Sequence, residues 1–442
     1  MGKVILFTPV GGTDPISATN YYEGAILHIC RHYMPDKVVL YMSKEMLDYQ
    51  DEDDRYRYCL DKLSELQKHP MEYEIIERRN LTKVHEFDYF YDDFRAIIRK
   101  IYASMDEDDR LLLNISSGTP AMKSGLAVLQ TLAEFPATLI QVANPEGKIG
   151  EHKHDGYDVE TLWELNQDNL PDSPNRCKKV TCPSLEKIKK EEIIKKHISN
   201  YDYRAALAVA DTMSENDTRE YRDLVLLASR RVLLDLAGVD KIVKADGFDC
   251  IPIKTSSERM LFEYALNMEI KLRREEYADF IRSITPILVD LFELVLKSQC
   301  GIDINKYCDN KKKGKTYVRQ WSAEKLKGTD ILQTLEQAFH GTFKGKEVYS
   351  VHLMYLIDAT SVDVAVKDKV RYLREIEERV RNDAAHDIIS VTDKTIEQKT
   401  GFKPAKIMQM IRELFNYTGM RVKKEYWDSY DYMNQSIVDR MA

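Results

Sequence analysis

The chain has 442 residues, of which 43% are hydrophobic and 31% charged, with a formal net charge of −8. That length accommodates two or three domains with buried cores, and the acidic balance excludes a generic, strongly basic nucleic-acid-binding protein, though not a local basic patch. The seven cysteines are odd in number and scattered, and Cys177 and Cys182 have no second pair at zinc-finger spacing, so they read as reduced thiols of a cytoplasmic protein without a structural metal.

Residues 3–8 (KVILFT) are a continuous apolar run. The run is too short for a signal peptide and reads as a buried parallel strand. Residues 17–33 read as a helix and 37–43 as a second strand, followed by a long charged helix through Lys68. Residues 71–78 read as a strand, 90–105 as a helix, 110–116 as a strand, 122–134 as a helix and 137–143 as a strand. Such repeated strand–helix units predict a doubly wound parallel sheet within residues 1–170.

Residues 168–175 have the composition of a linker. The basic run that follows, Lys178, Lys179, Lys187, Lys189, Lys190, Lys195 and Lys196, reads as a solvated helix face, with RNA contact the lesser alternative. The remainder, within 171–442, has a helical pattern and almost no strand pattern. Helices are expected over 203–213, 221–237, 258–273, 275–296, 331–339, 348–359, 370–389 and 407–418. The longest apolar run, 284–296, contains Asp290 and Glu293 and does not span a membrane. Lys311 to Lys315 read as a mobile loop able to meet an RNA backbone. The aromatic residues Tyr426, Trp427, Tyr430 and Tyr432 are expected to pack on the helical core or on a dimer partner.

Two loops of the first region carry candidate ligand groups. Gly11, Gly12, Thr13 and Asp14 follow the first strand; Asn114, Ser116, Ser117, Gly118, Thr119 and Pro120 close a later one. Glycines admit close backbone approach, and hydroxyls with helix N-terminal amides suit phosphate. Neither loop has the Walker or dinucleotide pattern, so ATPase and dehydrogenase readings are weak. Each loop alone is equally well a tight turn with a helix cap.

A third stretch lies late in the 370–389 helix: Arg381, Asn382, Asp383, Ala384, Ala385, His386. Ile376, Val380, Ala384 and Ile388 form its apolar stripe, while Asn382 and His386, four residues apart, share another face. An imidazole that titrates near neutral pH and a guanidinium that matches phosphate can cleave a phosphodiester without a metal. On a charged helix, such a pair is otherwise ordinary solvated surface.

With these residues in hand, the chain resembles the CRISPR-associated accessory ribonucleases of type III-A systems, the Csm family. These join an N-terminal CARF domain, a Rossmann-like nucleotide sensor, to a helical HEPN ribonuclease domain. The resemblance rests on Arg381-Asn382 with His386, on the Gly11–Asp14 loop, on the Ser116–Pro120 loop, and on their order along nearly the whole chain. It implies α/β plus all-α architecture, with CARF in residues 1–170 and HEPN within 171–442. It also implies a metal-independent, single-stranded RNA endoribonuclease of antiviral defence, with Arg381, Asn382 and His386 catalytic and no cofactor. The activator implied is a cyclic oligoadenylate bound by both loops across a homodimer axis.

Arg379, six residues before His386, fits the loosest form of the motif. Some relatives slowly cleave their own activator; Thr13, Asn114 and Thr119 are the candidates for that here. A non-catalytic CARF regulator or scaffold is the alternative; it would keep both loops without needing the Arg381–His386 pair. A metal-dependent nuclease would need clustered carboxylates, and the acidic runs at 51–54 and 106–109 read as solvated loops and helix ends.

Overall fold

A computed structural model describes residues 2–81, 83–132, 135–145, 156–313, 316–344, 347–381 and 390–441. It divides into two compact units, Met1–Lys189 and Lys190–Ala442.

The first unit is built on β1 (Val4–Pro9), β2 (Lys37–Ser43), β3 (Glu72–Arg78), β4 (Arg110–Asn114), β5 (Thr138–Val142) and β6 (Cys177–Val180). The strand order is β3-β2-β1-β4-β5-β6, parallel except for β6. Register pairs Ile5 with Lys37 and with Leu111, and Ile140 with Lys179. Successive side chains point to opposite faces, so the central strands feed two cores. Val4, Leu6, Val38, Leu40, Leu112 and Ile140 pack on one face. Ile5, Phe7, Val39, Tyr41, Leu113 and Leu139 pack on the other. Helices α1 (Ala25–Tyr33), α2 (Lys44–Asp53) and α3 (Arg55–Gln67) supply residues to the first core. Helices α4 (Phe87–Ala103) and α5 (Pro120–Thr131) supply the second.

The expected sheet is present, with local differences. The helix expected from Ser17 begins only at Ala25, because Tyr21 is left-handed (φ 59°) and the preceding chain folds back through turns. The single charged helix through Lys68 is two, broken at Asp54 (φ 53°). The segment expected as a linker is built into the first unit. Asp168 is 3% exposed and ion-paired to Arg176, and β6 then adds an antiparallel edge. The compact unit therefore runs past residue 170.

α7 (Pro183–Ser199) leads into the second unit, which is helical around one core that includes Phe262, Leu288, Phe292, Leu373, Ile411 and Trp427. Its elements include α8 (Tyr203–Ala210), α9 (Glu215–Thr218), α10 (Arg222–Val232), α11 (Leu236–Asp246), α12 (Ser256–Arg273), α13 (Tyr277–Arg282) and α14 (Ile284–Cys300). The expected helix 221–237 is broken at Leu234 (φ 59°), and Asp235 caps α11. The expected helix 275–296 is α13 followed by α14. Of the expected mobile lysine loop, Lys311 to Lys313 instead close β7 (Cys308–Lys313), which pairs with β8 (Thr316–Trp321), Cys308 opposite Trp321; residues 314–315 lie outside the described residues. α15 (Ala323–Leu326), α16 (Asp330–Ala338), α17 (Ser350–Asp358) and α18 (Val364–Arg381) follow, then helices Asp393–Thr400, Pro404–Phe415 and Ser429–Asp439. Trp427 and Tyr430 are buried, and Tyr432 stacks on Phe248. No helix among the described residues is long and apolar enough to cross a membrane.

Candidate functional site

Strand order reverses between β1 and β4, which are neighbours at the middle of the sheet. Ligands of open α/β sheets bind at such a point, beyond the carboxyl ends of the strands. Both glycine-bearing loops leave the sheet there and adjoin each other. A Cβ built on Gly11 would lie 2.8 Å from the Gly118 nitrogen. Gly118 itself is left-handed (φ 81°), a conformation glycine adopts without steric cost.

Several candidate residues turn inward. Asp14 is 1% exposed and accepts the Gly11 and Ile26 amides at 3.0 and 3.2 Å. Burial pushes its carboxyl up, opposed in part by hydrogen bonds from Ser117 and those amides. Asn114 donates to Thr8 Oγ1 (2.9 Å) and Ser117 Oγ (3.0 Å), while its Oδ1 accepts the Ser116 amide (2.8 Å). Thr119 donates to the Val84 carbonyl (2.7 Å) and caps α5 by accepting the Met122 amide. Ser116 Oγ accepts the Val142 amide at 2.7 Å. Asp14, Asn114 and Ser117 thus brace the loops from within. Gly12, Thr13 and Ser116 are half-buried, and Pro120 is exposed.

A polar pocket opens beside the loops, and its walls include Thr13, Tyr22, Ser116, Asn144 and Arg176. Sequence reading missed Tyr22, Asn144 and Arg176. At one wall of the pocket, the buried Glu23, with His28 and Asp168, brings ligand atoms within 4.8 Å of one another. Their charge is already paired. Arg31 grips Glu23 (2.6 Å) and Arg176 grips Asp168 (2.7 Å). His28 Nε2 accepts the Arg176 amide at 3.0 Å, which leaves Nδ1 to donate to Glu23 Oε2 at 3.3 Å. Burial would raise the Glu23 carboxyl, but hydrogen bonds from His28 and Arg31 hold it below its usual range. With two carboxylates against two guanidinium groups, the cluster reads as an ion-pair network. Up to 153 residues separate its members, so no local pattern announces it.

In the second unit, Arg381 is the last described residue of α18; Asn382 and His386 lie outside the described residues, as does the side chain of Arg381. Arg379 is engaged elsewhere: it donates to the Lys399 carbonyl at 3.1 Å and pairs with Glu375. One turn before Arg381, Glu377 is buried and accepts the Ser350 hydroxyl. Of the expected stripe, Ile376 is in the core, while the side chains of Val380, Ala384 and Ile388 are outside the described set. A separate cavity of about 490 Å³ lies between α12 and α14, with Tyr264, Asp290 and Glu293 on its walls. Burial pushes Glu293 up to about 7, which the Arg319 guanidinium offsets only in part.

An α/β unit whose two loops meet at the switch point, followed by a helical unit, is the organisation expected of a CARF–HEPN protein. The family model of the Csm6 CARF domain matches residues 72–177, that of the Csm6 6H domain 180–232, and that of the Csm6 HEPN domain 250–438. The chain belongs to the CRISPR-associated Csm6 family. The CRISPR system endoribonuclease Csm6 of Mycobacterium tuberculosis is 29% identical over 439 residues, 98% of each chain. A Streptococcus thermophilus endoribonuclease of the same name is 28% identical over 281 residues, covering 63% of this chain and 62% of that one. Among solved structures, Enterococcus italicus Csm6 bound to cyclic hexa-2′-fluoro-hexa-dAMP shares the fold. The TM-score is 0.66 at 20% identity, over 99% of this chain and 100% of that one.

Proposed function

We propose that this protein is an endoribonuclease of CRISPR antiviral defence that cleaves single-stranded RNA, without a metal, when a cyclic oligoadenylate occupies its first unit. The observation that carries the reading is the HEPN match over 250–438, which encloses Arg381, Asn382 and His386. RNA supplies its own nucleophile, the 2′-hydroxyl. His386 moves the proton as general acid or base, suited to neutral pH. Arg381 meets the charge that develops on the phosphorane-like transition state. Asn382 holds His386 or the phosphate by hydrogen bonds. The products are a 2′,3′-cyclic phosphate and a 5′-hydroxyl. The engagement of Arg379 with Lys399 and Glu375 favours Arg381 for the catalytic role.

The first unit, Met1–Lys189, is the sensor and the second, Lys190–Ala442, contains the nuclease. Two chains pair as a homodimer, so that both copies of the motif share one cleft and one ring lies across both sensors. The Enterococcus italicus relative binds a cyclic adenylate analogue, and the loops of this chain stand at the switch point of a like fold. Thr13 and Ser116 offer hydroxyls there, and the first turn of α5 offers amides suited to phosphate. The ring activates because it binds the cleavage-competent arrangement more tightly than the idle one.

The test is a fluorogenic RNA assay in EDTA with each cyclic oligoadenylate in turn. One ring size is expected to stimulate cleavage, and His386→Ala to lower the rate by about 10²–10⁴-fold. Loss of wild-type cleavage in EDTA, or a fully active His386→Ala, would overturn the assignment.

A further inference from the structure

Arg176 stands where the pocket, the buried ion-pair network and the edge strand meet. Its side chain is only 8% exposed. It donates to the carbonyls of Ala143 (3.1 Å) and Glu23 (3.2 Å), and to Asp168 Oδ2 (2.7 Å). Ala143 and Glu23 are themselves pocket walls. The same residue's backbone is tied in too: its carbonyl accepts the Ala143 amide (3.0 Å), and its amide donates to His28. The next residue begins β6, whose last residue, Val180, opens the stretch matched by the 6H family. A single side chain therefore holds two walls of the pocket against the strand through which the chain leaves the sensor.

Two details separate this arginine from a simple brace. Its Nε–H is buried and has no acceptor among the described residues. A buried donor without a partner destabilises the empty state, and a ligand acceptor relieves that cost. Moreover, two of its bonds go to neutral carbonyls, which are weaker partners than a carboxylate and exchange more readily for a charged ligand oxygen. Asp168 keeps the group in place while those bonds change. Arg31, on the same network, is different: it grips the Glu23 carboxylate and Asn169 and is not among the residues of the pocket.

We propose that Arg176 is the positioning residue that transmits occupancy of the pocket to β6 and so along the chain into α7. This rests on the sensor reading above and deepens it. The experiment uses full-length protein and the cyclic oligoadenylate that stimulates the wild type. Affinity is read by calorimetry, and fold-stimulation of RNA cleavage is read at saturating ligand. The charge-balanced variant Asp168→Asn/Arg176→Gln is expected to bind about tenfold or more weakly, for want of its bond to the ligand, and still to lose at least tenfold in stimulation at saturating ligand. If affinity falls in step with activation and saturating ligand restores full stimulation, Arg176 is an ordinary ligand contact and the proposal is overturned. Unchanged stimulation also overturns it. If the paired variant does not fold, Arg176→Lys keeps the charge but loses the fork. It is expected to show the same loss of stimulation at saturating ligand, and full stimulation in it refutes the idea. A wild type that binds no cyclic oligoadenylate would instead overturn the sensor reading itself.

Discussion

Two buried arginines, one in each unit, make contrasting use of the same chemistry. Arg231 of α10 is fully buried and grips Glu263 of α12 through two bonds of 2.8 and 2.9 Å. Its remaining nitrogen reaches the Ser429 carbonyl, the Ser429 hydroxyl accepts a further bond, and the Tyr430 ring lies 4.0 Å below. Nothing is left over. Arg176 is almost as buried, yet it keeps a spare donor, leans on carbonyls and lines a pocket. The two side chains are thus close in burial and differ in the completeness of their hydrogen bonding among the described residues.

The strongest test of that contrast is Arg231→Ala. Removing one partner strands the Glu263 carboxylate, and such a break costs about 3–5 kcal/mol. Urea unfolding of the full chain, followed by a probe in the second unit, is expected to show a loss of that size. A loss below about 1 kcal/mol would mean that the knot at Arg231 is not architectural. The apolar pair Arg231→Met/Glu263→Leu is expected to recover most of the loss.

A slightly smaller effect comes from Glu293, a buried carboxylate whose partner does not fully compensate it. Its native value near 7 lies above the ordinary 4.5, so the folded state holds the proton more tightly than the unfolded one. The resulting stabilisation is complete below pH 4.5 and is lost as pH rises through 7. Each tenfold gain in proton affinity is worth about 1.4 kcal/mol, which brings the total to the order of 3 kcal/mol. Unfolding measured from pH 5 to 8 is expected to show this decline, and Glu293→Gln to flatten it. An unchanged slope in the variant would remove Glu293 as the cause.

The smallest effect belongs to Thr119. Its hydroxyl is committed to the Val84 carbonyl and to the α5 cap. Thr119→Val is expected to cost about 1 kcal/mol of stability before any ligand is added, as lost N-caps do. If stability were untouched and only activation shifted, the hydroxyl would belong to the ligand rather than to the fold.

Thr119 also shows where sequence reading stopped. Its place at a strand end was legible because apolar runs flank it; the direction of its hydroxyl was not. β1, β2 and β4 were legible for the same reason, since buried parallel strands read as unbroken Val, Ile and Leu, whereas β3, with the sequence EYEIIER, was legible by its alternation. β6, with the sequence CKKV, and the lysine-rich β7 lack that signature. The helix breaks at Asp54 and Leu234 use left-handed residues other than glycine, which no composition rule flags. Arg176 and His28 stood 148 residues apart in a chain without internal repeats, so their meeting needed three dimensions.

The close approach of Gly11 to Gly118 has a consequence for engineering. Any side chain at Gly11 would press on the backbone of the second loop, and any side chain at Gly118 would press on Pro9 and Met122. Neither loop is an independent module. Retuning the sensor for another ligand therefore requires replacing both loops together, as one matched part.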